Sequence, residues 1–366
     1  MGIVYFLFIL PLLWYCQKLI HWRRTWLWSA VFTSGSGKQG VPLSLIIPFK
    51  DEAANLASLI HSLNKQSWDC WELILVNDHS IDNSLEVLRS ALTSFKYPVR
   101  VIEATASGKK AALLQGVQAA RYQYIVTSDA DCTFHADWLA SIAAYFALNK
   151  ADLIIGPVSL TISAGWLQRF QQLDFAALQL SGGAAALDGK PIMCNGANLA
   201  CRKELYLRAQ IQPVIASGDD MFLLEWMKKE GCSIHYLKTP RALVQTHALD
   251  SFASFMQQRA RWAAKARNYR DRHIIGTGIL VSVTNFILFL SLVLVLWQPY
   301  FLIFFCTSLF LKSLFDYRLL KLGESDLGLK LSFMEVLVWQ LLYPLYVLIT
   351  LLYPLFVTVR WKSRHI

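Results

Sequence analysis

The sequence predicts an α/β protein in which a mostly parallel sheet is held between membrane helices at its two ends. Three observations predict it. Apolar runs of strand length alternate with segments of helical spacing between about residues 41 and 272; long uncharged runs flank that block on both sides; and the polar residues of the block gather just after its strands. Of 366 residues, 55% are hydrophobic and only 16% are charged, against roughly 25% charged in soluble domains. An ordinary soluble enzyme, a disordered chain, a collagen-like chain and a disulfide scaffold are excluded. Thirty-five Lys and Arg against 25 Asp and Glu give a net charge of +10, a balance that suits nucleic acid, anionic lipid or membrane topology signals alike. Position decides between these.

Met1 to Cys16 carries no charge, and the apolar character continues through Leu19 and Ile20 before His21, Arg23 and Arg24. A cleaved signal peptide has a basic start and a small-residue exit; here the start is bare and the exit is basic and rich in Trp (Trp22, Trp26, Trp28). An uncleaved anchor over residues 1–22 is expected, with the N-terminus outside and the following block in the cytosol.

From Ile274 to Leu311 there is no charged side chain, a stretch too long for one span at roughly 20 residues each. Gln298-Pro299 breaks it, so the expectation is a helical hairpin with spans over 274–297 and 300–318, Lys312 snorkelling to the edge. Both ends then face the cytosol, in agreement with the basic segment Arg259 to Arg272 before it and Arg318 and Lys321 after it. The last uncharged run, within 332–359, contains Pro344 and Pro354 and meets Arg360, Lys362 and Arg364. It is read either as transmembrane or as interfacial and re-entrant. The expected location is the plasma or inner cell membrane, multi-pass, with the central block cytosolic.

In the block, LSLIIPF (Leu43 to Phe49), WELILVND, PVRVIE, YQYIVTSD and ADLIIG read as strands, and Glu52 to Gln66, Ser84 to Ser94, Lys109 to Ala120 and Trp138 to Leu148 have helical spacing. Such alternation implies a parallel sheet covered on both faces. Ligands of these sheets bind beyond the carboxyl ends of the strands, where Lys50-Asp51-Glu52, Asn77 to Ser80 and Asp129-Ala130-Asp131 fall. Seven cysteines without a CxxC pair speak for reduced thiols rather than zinc or disulfides. Ser34 to Gly40 reads as a flexible link.

Two adjacent carboxylates, Asp129 and Asp131, repel unless a cation shares them. Mg²⁺ or Mn²⁺ on such a pair completes its shell with water and substrate phosphates, although Asp pairs also occur in ordinary turns. Asp219-Asp220 after Gly218 opens a helical pattern, either as a cap on the helix dipole or as a general base aimed at a hydroxyl. Gln258, Arg259, Arg261 and Trp262 lie in the amphipathic segment 251–273. That segment suits a cytosolic membrane face, or phosphate binding by Arg with stacking by Trp. Gly108-Lys109-Lys110 is a basic helix start suited to an anion, or a solvated Lys pair. Cys194 to Asn198, with Gly196 at its centre, reads as a tight turn where the backbone approaches a neighbour closely.

Taken in order, these pieces resemble the processive and lipid-directed branch of the family 2 glycosyltransferases, which includes cellulose, chitin and hyaluronan synthases and ceramide glucosyltransferase. The resemblance covers about Val41 to Trp262. IPFKDEAANL is similar to the family's first strand and Asn-Glu turn, VNDHSIDNS to VDDGSxDxT, GKKAALLQG to GKxxALNxG, SDADC to the DxD position, NGAN to G-x-N, SGDDMFL to the ED position and QRARW to Q-x-x-R-W. Asn77 and His79 stand where Asp and Gly are commoner, and Asp219 where many relatives have Glu. The resemblance implies a GT-A, Rossmann-like catalytic domain over 41–250 that binds a nucleoside diphosphate sugar, expected to be a UDP-sugar. It implies Glu52, Asp78, Lys109, Asp129 and Arg261 as nucleotide-sugar contacts and Asp131 with Asp129 as holders of Mg²⁺ or Mn²⁺. Gly196, Asn198, Asp219, Gln258, Arg259 and Trp262 fall at the acceptor or diphosphate side, and Asp220 becomes the catalytic base of an inverting transfer. Few spans for a translocation channel favour a lipid or lipid-linked glycan acceptor. The alternative is a polysaccharide synthase subunit that works with assembly partners or as a homo-oligomer.

Two rival classes remain further off. A membrane nucleotide-binding protein without catalysis keeps the motifs but not the transfer. A transporter is suggested by hydrophobicity alone, and its pathway would place ionisable residues inside the spans. Nucleic acid is not an expected partner, because the cations sit beside membrane runs.

Overall fold

The computed structural model describes residues 2–33, 39–209, 219–356, 360–361 and 364–365. Most of the link expected at Ser34 to Gly40, Gly218 and the side chain of Asp219 lie outside this description. The chain divides into two compact units: Ala30–Ser163 with Met193–Ala248, and Met1–Ser29 with Ala164–Ile192 and Leu249–Ile366.

The first unit is built on a sheet. Its strands are β1 (Leu43–Phe49), β2 (Trp71–Asn77), β3 (Val99–Glu103), β4 (Tyr124–Thr127), β5 (Thr133–Phe134), β6 (Leu153–Ile155), β7 (Val158–Thr161), β8 (Leu199–Arg202), β9 (Ile234–Tyr236) and β10 (Val244–His247). Seven of them form one sheet in the order β3-β2-β1-β4-β8-β6-β9. β1 to β4 run parallel, β8 is antiparallel to both of its neighbours, and β6 and β9 are parallel. β1 and β2 are buried at every residue, as continuous apolar runs in a covered parallel sheet must be. β3, at the sheet edge, is only partly covered. A smaller sheet, β5-β10-β7, stands apart.

The helices of this unit are α2 (Ala53–Leu63), α3 (Ser84–Leu92), α4 (Lys109–Ala119), α5 (Trp138–Leu148), α7 (Lys203–Arg208) and α8 (Asp219–Lys229), while α6 (Trp166–Leu187) belongs to the second unit. α4 lies so close to β1 that a Cβ at Gly116 would sit 2.5 Å from a methyl of Ile46. The buried carboxylate of Glu72, on β2, is satisfied. Glu72 accepts from Ser44 Oγ (2.7 Å), the Arg121 amide (2.6 Å) and Arg100 (2.9 Å).

The second unit is helical: α1 (Gly2–Trp28), α6, α9 (Phe252–Ala266), α10 (Arg272–Leu294), α11 (Phe301–Leu320), α12 (Gly323–Asp326) and α13 (Phe333–Phe356). α1 runs on past residue 22 because Trp22 and Trp26 are buried, and Trp26 Nε1 donates to Asp326 at 2.7 Å. α6 lies inside the segment read as 41–250 but groups with this unit, where Gln171 pins the Leu249 backbone through both its amide atoms. α10 is capped by Asp271, which accepts from the amides of His273 and Ile274. The chain breaks between α10 and α11 around Gln298-Pro299, and α13 continues unbroken through Pro344.

Among the described residues, two helices, Arg272–Leu294 and Phe333–Tyr353, are long and apolar enough to cross a membrane. Ile279, Phe286, Val338 and Leu342 on them are exposed. Lys312 of α11 does not snorkel. It is 1% exposed, donating to Asp316 (2.7 Å) and to Gln340 Oε1 (2.8 Å), while Tyr15 donates to Asp316 at 2.5 Å. A lysine on a flexible stem reaches water when nothing closer accepts its protons; here a carboxylate one helical turn away does.

Candidate active site

In the first unit the carboxyl ends of β1, β2 and β4 carry the polar clusters, and the loops after β1 and β2 brace one another. Ile81 donates its amide to Asp51 (2.8 Å), Asp51 its amide to Ser80 Oγ (3.0 Å), Glu52 its amide to Ser84 Oγ (2.8 Å) and Ala53 its amide to Asp82 (3.2 Å). Asp51 and His79 hold φ of 50° and 58°, in the left-handed region that non-glycine residues seldom occupy. His79 takes it at the position where the resembling motif has glycine. Asn77, in place of the commoner Asp, is spent on the loop: its amide donates to Glu103 (2.8 Å) and its oxygen accepts from the Ser80 amide (3.0 Å).

Asp78 closes β2. It is 1% exposed and accepts the Gly108 amide at 2.9 Å, which ties the β2 end to the start of α4. Gly108 sits at φ 117°, and the turn of chain it allows starts α4 at Lys109. Lys109 Nζ then lies 2.5 Å from Asp129 Oδ1. Glu52 accepts from Asn55 at 2.7 Å at the start of α2.

Asp129 and Asp131 follow β4. Asp131 Oδ2 accepts from Thr246 Oγ1 at 3.0 Å, and burial first, then the Asp129 carboxylate, push the Asp131 carboxyl above the ordinary range. Among the described residues no group of three His, Cys, Asp or Glu stands ready to hold a metal. The pair nevertheless fits one. Two hard carboxylates two residues apart, with no His or Cys in the set, match a Mg²⁺ or Mn²⁺ whose remaining ligands are water and phosphate.

Asp220 lies in the first turn of α8. Its Oδ2 accepts the Gly196 amide at 3.1 Å and its Oδ1 the Met221 amide at 2.8 Å. The Cys194-to-Asn198 turn thus brings a backbone N–H against this carboxylate, and a Cβ at Gly196 would lie 3.8 Å from it. Asn198 has another task. It is 1% exposed, donates to the carbonyls of Pro157 and Ala242 (both 2.8 Å) and accepts from Trp138 Nε1 (3.0 Å), so its amide holds the turn rather than facing a ligand.

Comparison with known proteins gives this arrangement a family. Residues 44–208 match the model of glycosyl transferase family 2. The matched segment, under half of the chain, is a family 2 glycosyltransferase domain. It is 22% identical over 223 residues to glycosyltransferase AglE of Haloferax volcanii, covering 60% of this chain and 71% of that one. It is also 28% identical over 122 residues to dodecaprenyl-phosphate galacturonate synthase of Rhizobium johnstonii, covering 32% and 36% of the two chains. The solved structure of mannosyltransferase PcManGT from Pyrobaculum calidifontis, in complex with GDP-Man and Mn²⁺, has a TM-score of 0.59 at 17% identity and covers 95% of this chain and 96% of its own. The fold is the Rossmann-like GT-A fold, and the protein is a glycosyltransferase.

The remaining motif residues of the glycosyltransferase lie on α9 in the helical unit. Arg259 is buried, its Nη2 2.6 Å from Asp174, with its guanidinium 4.3 Å from the Trp262 ring centre and 4.9 Å from that of Phe255. Tyr343 and Tyr346 also donate to Asp174, at 2.9 and 3.1 Å. Arg259 is therefore committed to the interior of this unit. Gln258, Arg261 and Trp262 are each partly exposed, and burial lowers the pKa of Arg261. Sequence reasoning missed Asp174, Thr246 and the two tyrosines. Asp174 carried a signal, as a lone acid in the otherwise apolar run LDFAALQL; Thr246 carried none outside the strand pairing.

Proposed function

We propose that the protein is an inverting glycosyltransferase that moves a sugar from a nucleoside diphosphate sugar, a UDP-sugar, to a hydroxyl of a lipid or lipid-linked glycan at the cytosolic face of a membrane. The observation that carries this reading is the grouping, within one unit, of Asp78 after β2, the Asp129–Asp131 pair after β4, and Asp220 against the Gly196 amide. Asp220 takes the proton from the acceptor hydroxyl, whose oxygen bonds to the anomeric carbon while the bond from that carbon to the diphosphate breaks and its electron pair leaves with the nucleotide. The Gly196 amide orients the Asp220 carboxylate. When bound on Asp129 and Asp131, Mg²⁺ or Mn²⁺ supplies neutralisation of the diphosphate charge. Asp78, Glu52 and Lys109 hold the nucleotide side, and Arg261 and Trp262 keep the diphosphate and acceptor roles that the family pattern implies. The two apolar helices and a relative named for a polyprenyl-phosphate product support a membrane acceptor.

The test is transfer itself. Membranes holding the protein are incubated with a panel of radiolabelled nucleotide sugars and Mg²⁺ or Mn²⁺, and label is expected in the organic extract. Label confined to insoluble polymer overturns the lipid acceptor. Asp220→Asn is expected to lower transfer roughly 10²–10⁴-fold with nucleotide binding retained; unchanged transfer overturns its role as base.

A further inference from the structure

We propose that Thr246 is a positioning residue for the Asp129–Asp131 pair, fixing the Asp131 carboxylate so that its other oxygen is presented to the divalent cation. The inference rests on the metal reading given above. Its ground is the small sheet. β5 begins two residues after Asp131, and β10 pairs antiparallel with it through Val244↔Phe134 and Gln245↔Thr133. One step further along β10 the pairing brings Thr246 level with the turn that carries Asp131. Side chains alternate along a strand, so Thr246 shares a face with the fully buried Val244 and not with the exposed Gln245. There its hydroxyl donates to Asp131 Oδ2 at 3.0 Å. On the far side β10 is locked parallel to β7, Thr246 opposite Leu160, so the donor cannot slide along the carboxylate.

The two acids are thus held by different means. Asp129 meets the ammonium at the end of the long Lys109 side chain, and Asp131 meets a hydroxyl on a strand paired on both sides. The weak Cys132 thiol also lies near Asp131, 3.7 Å from Oδ1. A β-branched residue at a strand position needs no functional reason, since the methyl alone suits a strand. The hydroxyl is what the proposal concerns, and it is the part that isosteric substitution removes.

Thr246→Val and Thr246→Ser, with Asp131→Asn as the control, are purified as the full chain, and Mn²⁺ is titrated in, alone and with UDP, while free Mn²⁺ is followed by electron paramagnetic resonance. Partners that orient metal ligands are worth roughly 10–100-fold in metal affinity, so Thr246→Val is expected to weaken Mn²⁺ binding by that factor, Thr246→Ser to bind like the wild type, and UDP affinity without metal to be the same in all three. Thr246→Val binding Mn²⁺ as the wild type does, or Thr246→Ser failing as badly as Thr246→Val, overturns the proposal. If Asp131→Asn loses Mn²⁺ while Thr246→Val keeps it, only this inference falls; if Asp131→Asn binds as well as the wild type, the metal reading falls with it.

Discussion

The sheet unit and the helical unit treat charge in opposite ways. In the helical unit the buried ions among the described residues are paired inside the protein: Arg259 with Asp174, and Lys312 with Asp316, with Gln340 and Tyr15 around it. In the sheet unit the Asp131 carboxyl is pushed up, first by its burial and then by the Asp129 carboxylate beside it. A structural ion pair is closed, whereas a site that waits for a charged ligand is left with charge to spare. The perturbed Asp131 therefore marks chemistry in one unit, and buried ion pairs mark packing in the other.

Breaking a buried pair in the helical unit is expected to have the largest effect on stability. Asp174→Ala leaves Arg259 uncompensated and the hydroxyls of Tyr343 and Tyr346 without their acceptor, and should cost about 3–5 kcal/mol, read as the shift in detergent-solubilised thermal unfolding. Lys312→Met alone should cost a similar amount, while Lys312→Met with Asp316→Leu should recover most of it, because two well-packed apolar residues replace a buried ion pair with little loss. A double variant as unstable as the single one would show that the pair is more than a matched charge. Next in size is Asn198→Ala, which strands two carbonyls and one indole N–H and should cost roughly 1–3 kcal/mol. The smallest effect on unfolding is expected for Asp129→Asn, which removes half of a repelling pair; its melting temperature should match or exceed the wild type's while metal-dependent transfer is lost. A large fall in stability there would erase the contrast between the units.

Much of the sheet was legible in the sequence. LSLIIPF and WELILVND are apolar without interruption, and only a strand buried on both faces tolerates that. The acids after them were legible too, because a parallel sheet delivers its loops to one edge. The strands β5, β7, β8, β9 and β10 were not legible, since these runs of two to four residues carry no measurable period and lack the flanking strand–helix alternation that exposed the equally short β4 and β6. With them went Thr246. The assignment of α6 was hidden for a different reason: it follows strands in the chain, and only packing shows that it belongs with α1, α9 and the apolar helices. Lys312 shows the same limit, because whether a lysine finds water or a carboxylate depends on the helix beside it.

The sequence by itself determined the fold class, the order of the motifs and which residue types stand at the strand ends, because these follow from periodicity and from the geometry of a parallel sheet. Only the tertiary structure decided which of the motif residues are spent on the scaffold. Asn198 and Arg259 read as site residues, yet the first spends its amide on the turn and the second pairs with Asp174 inside its unit, while Asp78 and Asp131 follow strand ends and Asp220 opens a helix. The physical reason is that a polar side chain's role is set by which partners saturate it, and those partners come from distant parts of the chain that no local pattern brings together.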